Sequence, residues 1–323
     1  MNRLTWLIRR EFWEHKGGIF WAPVWTAAVF VLISIMGAIT AEAFKAKFAG
    51  GLRIGVSIRD LVTSKLDAED LAKVGPAIDV GMLGLSGLLG TVLGFVLFFY
   101  LLSALYDDRR DRSVLFWKSL PLSDRDTVLS KVLVAALLAP AITVVVSILL
   151  HIAILSLLSV HVMFYGVNPL TVIWGPAEPI AIWLRLFASI PLNALWALPC
   201  IGWLLLVSSF VRGKPFLWAV LLPVGIGIMI SWFDVLSTFA VPDAAYWKHV
   251  ALRVLAGVFP GIYQFQMEAV QIAPGVSIAG LNGAASWTDM GKVLMSAPMW
   301  IGAVAGTAMI FGAVQMRRWR DEA

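Results

Sequence analysis

Long apolar stretches alternate with shorter charged ones along this chain, and the apolar stretches recur at a membrane-sized length. Six of them, at about 19–40, 82–106, 127–160, 183–210, 216–239 and 292–315, predict transmembrane helices. The first gives about 33 Å of helix at 1.5 Å per residue, enough for a hydrocarbon core of about 30 Å. None has the strict alternation of an outer-membrane barrel strand. The expected fold is an all-α integral membrane protein, a single transmembrane domain over residues 1–323.

Residues 2–16 read as an amphipathic interfacial helix. Leu4, Leu7, Ile8 and Phe12 fall near one face, Arg3, Arg9, Arg10, Glu11 and Glu14 fall elsewhere, and Trp6 and Trp13 suit headgroup depth. The first span follows this charged helix and continues for a full membrane thickness, so it reads as a span and not as a cleaved leader. The third run exceeds one bilayer, so its helix must project from the membrane or bend near Pro140. Gly90 with Gly94, and Gly302 with Gly306, form GxxxG faces that admit a closely packed helix. Two outer segments are expected, 42–80 and 241–291. In the second, residues 251–273 are apolar enough for a re-entrant or interfacial helix pair.

Composition agrees: 60% of residues are hydrophobic and 14% charged, with a mean hydropathy of +0.85, whereas about a quarter of a soluble domain is charged. The net charge of +5 points to the membrane surface and not to nucleic acid. Fifteen Lys/Arg lie on the segments assigned inside or at the adjoining span ends, and ten on those assigned outside or at theirs. Both termini are therefore expected in the cytoplasm, with the chain multi-pass in the cell's inner (plasma) membrane.

The densest charge lies in the turn after the second span. Residues 107–131 hold six Lys/Arg and five Asp between two apolar runs, and that much charge cannot lie in hydrocarbon. Within it, Ser113–Leu120 reads as a two-turn helix stopped by Pro121. Ser123 and Asp126 have capping-box spacing, which starts the next helix near Asp124. Leu115, Phe116 and Trp117 on a water-side turn need a partner surface.

The stretch YDDRRDRSVLFWKSLPLSD, residues 106–124, resembles the first cytosolic loop of ABC type-2 transporter permeases, whose coupling helix docks on a separate ATPase subunit. The interfacial first helix, six spans, short second cytosolic loop and outer helices before the last span extend the resemblance over most of the chain. The long 42–80 segment departs from the family's minimal plan. The resemblance implies a permease subunit that exports or flips a substrate, paired with an identical or homologous second permease chain and contacting membrane lipid. ATP and Mg would sit on the partner ATPase. The ATPase-coupling residues carried over are Arg109, Arg110, Arg112, Leu115, Phe116, Trp117 and Lys118, with Arg212 and Lys214 of the second loop.

The residues themselves supply no catalytic centre. A phosphate cradle needs GxxxxGK[ST], but Gly213-Lys214 and Gly291-Lys292 are followed by Pro215 and Val293 and preceded, five residues back, by Ser208 and Ser286. His15, His151, His161 and His249 lie on separate elements without metal-ligand spacing, and Cys200 is the one cysteine. No cofactor or metal is expected in this chain. His151, Arg185 and Asp234 are ionisable groups at apolar positions and stand as substrate-path candidates. The alternative reading is a non-transport sensor or scaffold whose loop binds a signalling partner. A secondary transporter fits less well, for want of an acidic relay in the bundle.

Overall fold

The structure is a computed structural model that describes residues 3–47, 68–110, 123–235, 243–263 and 286–319. Among them every regular element is helical, and six helices are long and apolar enough to cross a membrane. Helix α1 (Arg3–Glu14) passes through a π turn at Gly17–Trp21 into α2 (Ala22–Lys47), which carries the first span. Helix α3 (Ala68–Ala104) and the short α4 (Tyr106–Arg110) form the second.

The third span is α5 (Asp124–Leu133), a π turn at Val134–Leu138 and α6 (Ala139–Met163). Where a bend was expected near Pro140, the helix carries this π turn, which ends two residues before the proline, a residue with no N–H to continue the regular ladder. The Ser123 side chain accepts the Asp126 N–H at 3.0 Å, so the helix begins at Asp124 as its spacing required. After a π turn at Leu170–Trp174 come α7 (Pro179–Phe210) and α8 (Pro215–Val235), the fourth and fifth spans. Two short helices, α9 (Asp243–Tyr246) and α10 (Leu252–Ala256), are joined by a π turn into one arm; α11 (Trp287–Met295) and α12 (Ala297–Trp319) close the chain.

Several boundaries differ from expectation. The second span was placed at 82–106, but α3 starts at Ala68, so part of the expected outer segment 42–80 is helix continuous with that span. Similarly, α2 runs past Glu42 to Lys47. The last span begins at Ala297 and not at 292, because Ser296 is extended and Pro298 opens the new helix. Residues 287–295 are instead a separate helix whose own cap, Ser286 accepting the Asp289 N–H at 3.2 Å, went unread.

Spans two, three and four are about half buried within the chain, whereas the first is 0% and the fifth 17% buried. The core therefore lies between α3, α5–α6, α7 and α12, around Leu97, Leu101, Val128, Ile201, Leu204 and Ala313. The two GxxxG faces are used inside the chain. On α12, Gly306 meets the Leu198 backbone of α7, and a Cβ on Gly202 would come within 2.5 Å of the Gly306 carbonyl oxygen. On α3, Gly90 and Gly94 receive Pro260 and Phe259, at the tip of the arm, and not another helix. The arm is pinned by Arg253, whose guanidinium lies 4.0 Å over the Trp196 ring and donates to the carbonyls of Pro298 and Met299.

Candidate functional site

The N-terminal helix, both stems of the 107–126 loop, the 211–214 turn and the end of α12 meet at one end of the bundle. Glu11 is central there and fully buried. It stands four residues after Leu7 and seven after Leu4, so a 3.6-residue period puts it on the apolar stripe and not among the outward charges where it was expected. Lys131, also buried, stands two turns into α5, one turn beyond buried Thr127 and Val128. Its Nζ reaches both Glu11 oxygens, at 3.1 and 3.2 Å. Tyr100 of α3 donates its hydroxyl to Glu11 at 3.0 Å, and Arg10 adds a bond of 2.7 Å.

The charges continue in alternation. Asp108 lies 3.8 Å from Lys131 and 3.1 Å from Arg317 of α12, and Arg317 Nε donates to Asp124 at 3.1 Å. Arg10, Lys131 and Arg317 thus balance Glu11, Asp108 and Asp124. Desolvating a charge costs several kcal/mol, which only partners and hydrogen bonds offset, so the balance is what allows this burial. Burial by itself would raise the Glu11 pKa, but the fields and hydrogen bonds of Lys131 and Arg10 outweigh it and hold the carboxyl below its ordinary value.

A second clamp lies beside the first. Helix α3 ends at Ala104, and the amides of Leu105 and Tyr106 turn to Ser208 Oγ of α7, at 3.0 and 2.9 Å. Arg109 reaches across the same junction, its Nη2 donating to the Ser208 and Val211 carbonyls at 2.6 and 3.0 Å. Those carbonyls belong to the C-terminal end of α7, where orphan acceptors and the helix dipole favour a cation. Arg109, expected on the coupling surface, therefore faces inward and ties the loop's first stem to the second loop.

Arg110, Arg212 and Lys214 are exposed at this end. Arg112, Leu115, Phe116, Trp117 and Lys118, with the helix expected at Ser113–Leu120, lie outside the described residues.

The structure does not bring the substrate-path candidates together. His151 is buried among three spans, where its Nδ1 accepts from Trp183 Nε1 at 3.3 Å and its Nε2 lies 2.9 Å from the Met82 carbonyl and 3.1 Å from Ser86 Oγ. An indole N–H only donates, so these partners assign the neutral tautomer with the proton on Nε2, a packing role. Arg185 sits at the opposite end, donating to the Ala181 carbonyl at 3.2 Å with Glu178 at 3.9 Å. Asp234 is exposed near the end of α8. Among the described residues no group of three or more His, Cys, Asp or Glu could hold a metal.

Sequence reasoning missed Glu11, Tyr100, Lys131, Asp108 and Arg317 as one constellation. A signal existed, since an acid interrupts the apolar stripe of residues 4–12 and a lysine interrupts the apolar start of the third span. Nothing linear joined the two. No protein-family model matches the chain, and no curated protein or solved structure matches it.

Proposed function

We propose that this chain is the membrane-spanning permease subunit of an ATP-binding-cassette transporter, which moves its substrate by export or flipping. ATP is hydrolysed, with Mg, on a separate subunit docked on the 107–126 loop. The observation that carries the reading is the buried network at the loop's base. Both stems, through Asp108 on one side and Asp124 and Lys131 on the other, are tied to α1 by Glu11 and to α12 by Arg317. A displacement of the loop is then delivered to four elements at once, because moving one stem alone would strand a buried charge. An anchor that only set topology would need surface charge, not this buried hub.

In this reading Phe116 and Trp117 seat in an ATPase groove, since large aromatics dominate contact energies when buried. Arg110, Arg112 and Lys118 orient the encounter, with Arg212 and Lys214 on the neighbouring loop. Arg109 acts differently, holding the stem in place. The loops and both termini face the cytoplasm of an inner (plasma) membrane, and a second permease chain, identical or homologous, completes the path.

The test is purification of the full chain from its native membranes, with ATP hydrolysis measured on the eluate. The expected outcome is a P-loop ATPase that travels with the chain and is released by Phe116→Ala with Trp117→Ala. An unchanged yield of ATPase and unchanged turnover in that double variant would overturn the assignment. A partner without a nucleotide site would favour the sensor or scaffold reading.

A further inference from the structure

We propose that the loop end of the bundle carries a binding site for a phospholipid with both a phosphate and an ammonium, a phosphatidylethanolamine, drawn from the adjacent leaflet. The site is a lateral crevice of about 620 Å³ between the α1–α2 junction, α3 and the start of α8, in the size range of small-molecule pockets. It goes beyond the coupling role and does not depend on an ATPase.

The interior is apolar, with Ile19, Val96, Phe99 and Phe216 among its walls. Phe99 and Phe216 stack with ring centres 6.1 Å apart, yet about half of each remains exposed. Trp13, Trp21 and Trp218 stand exposed on the same elements, and exposed Trp marks headgroup depth in a membrane protein. A crevice that is apolar within and level with the headgroups fits a lipid whose chain lies against the phenylalanines.

The rim selects the headgroup. Glu14, His15, Asp107 and Lys214 line the crevice: Glu14 pairs with Arg10 at 3.8 Å and His15 lies 3.9 Å from Glu11, whereas Asp107 and Lys214, both exposed, have no ion-pair partner among the described residues. Lys214 has φ +52, a left-handed conformation for a residue with a Cβ that also precedes a proline. Such strain persists only where the surroundings impose it, and it concentrates at ligand sites. Here it presents an ammonium to a lipid phosphate, while Asp107 offers a carboxylate to the lipid's own ammonium. A phosphatidylglycerol would satisfy Lys214 but offer Asp107 only uncharged hydroxyls, without the ammonium that pairs with a carboxylate.

The experiment places p-benzoylphenylalanine at position 99 in the full chain, reconstituted in phosphatidylcholine vesicles holding equal phosphatidylethanolamine and phosphatidylglycerol. Irradiation is followed by mass spectrometry of the adducts. Phosphatidylethanolamine adducts should exceed phosphatidylglycerol adducts by about threefold or more, the ratio that exposed charge pairs supply. Asp107→Ala with Lys214→Ala should reduce that ratio to about one at unchanged protein yield. Equal labelling of the two lipids, a ratio that survives the double variant, or cross-links to a second copy of the chain or another protein would overturn the proposal. Native mass spectrometry of the unsubstituted chain gives a parallel readout that no probe can perturb: retained phosphatidylethanolamine supports the site, and retained phosphatidylglycerol in its place refutes it.

Discussion

Replacing Lys131 with Met should cost more stability than any other single change at the loop end. The substitution keeps the length and apolar stem of the side chain but leaves Glu11 without its two bonds of 3.1 and 3.2 Å. Removing one partner of a buried ion pair costs about 3–5 kcal/mol. Glu11 still keeps Arg10 at 2.7 Å and Tyr100 at 3.0 Å, so about 3 kcal/mol is expected. At about 2–4 °C per kcal/mol, the value for soluble domains of intermediate size, the apparent Tm falls by about 6–12 °C. Adding Glu11→Gln removes the stranded charge while preserving an acceptor for Tyr100 and Arg10, and the double variant should return to within about 1 kcal/mol of the parent. Thermal unfolding of the purified chain in detergent, followed by tryptophan fluorescence, measures all three proteins. An unchanged Tm for Lys131→Met, or a double variant less stable than the single one, would refute the network's energetics.

The same pair sets a pH dependence. The Glu11 carboxyl titrates below its ordinary value of 4.5 in the folded chain, so the unfolded state takes up the proton first as pH falls. Its contribution to stability is complete above about 4.5 and is lost as pH drops through the folded value. Glu11→Gln should flatten that part of the acid limb, and a limb identical to the parent's would contradict it.

Other outcomes follow from the packing. Ser123→Ala removes the cap that starts the third span and should cost about 1 kcal/mol, while Ser123→Asp should be nearly neutral in the same melting assay. Gly306→Ala drives a methyl into the Leu198 backbone and should sharply lower the yield of folded protein, whereas Gly81→Ala, with nothing within 4 Å, should be neutral or stabilising. In a Cys200→Ala background, cysteines at 57 and 286 should react with an impermeant maleimide from outside intact cells and one at 123 only after lysis. Outside labelling at 123 would invert the proposed orientation.

Hydropathy alone made six helices of membrane-crossing length legible, because each is a long apolar run, and the Ser123 cap was legible because its spacing is local. What the sequence reading lost was long-range or masked by composition. Helix was expected in the outer segment that holds Ala68, but its charges, such as Asp70 and Lys73, hid the fact that this helix runs unbroken into the second span. The break at Ser296 was hidden by apolar residues on both sides. Gly90 and Gly94 correctly signalled a close approach, but the occupant is Phe259–Pro260, far along the chain. The network of Glu11 and Lys131 joins residues 120 positions apart, a distance at which periodicity says nothing about pairing. Arg109 looked like its neighbours Arg110 and Arg112, and only the fold distinguishes a cation that caps α7 from one that faces outward.

The central claim is that this chain couples to an ATPase through the 107–126 loop, and native mass spectrometry of the complex released gently from its membranes tests it most directly. The account predicts an assembly of two permease chains with two ATPase chains, which loses its ATPases, but not its permease pair, when Phe116 and Trp117 are both replaced by Ala. A lone permease chain, or an ATPase that stays bound to the double variant in full stoichiometry, would contradict it.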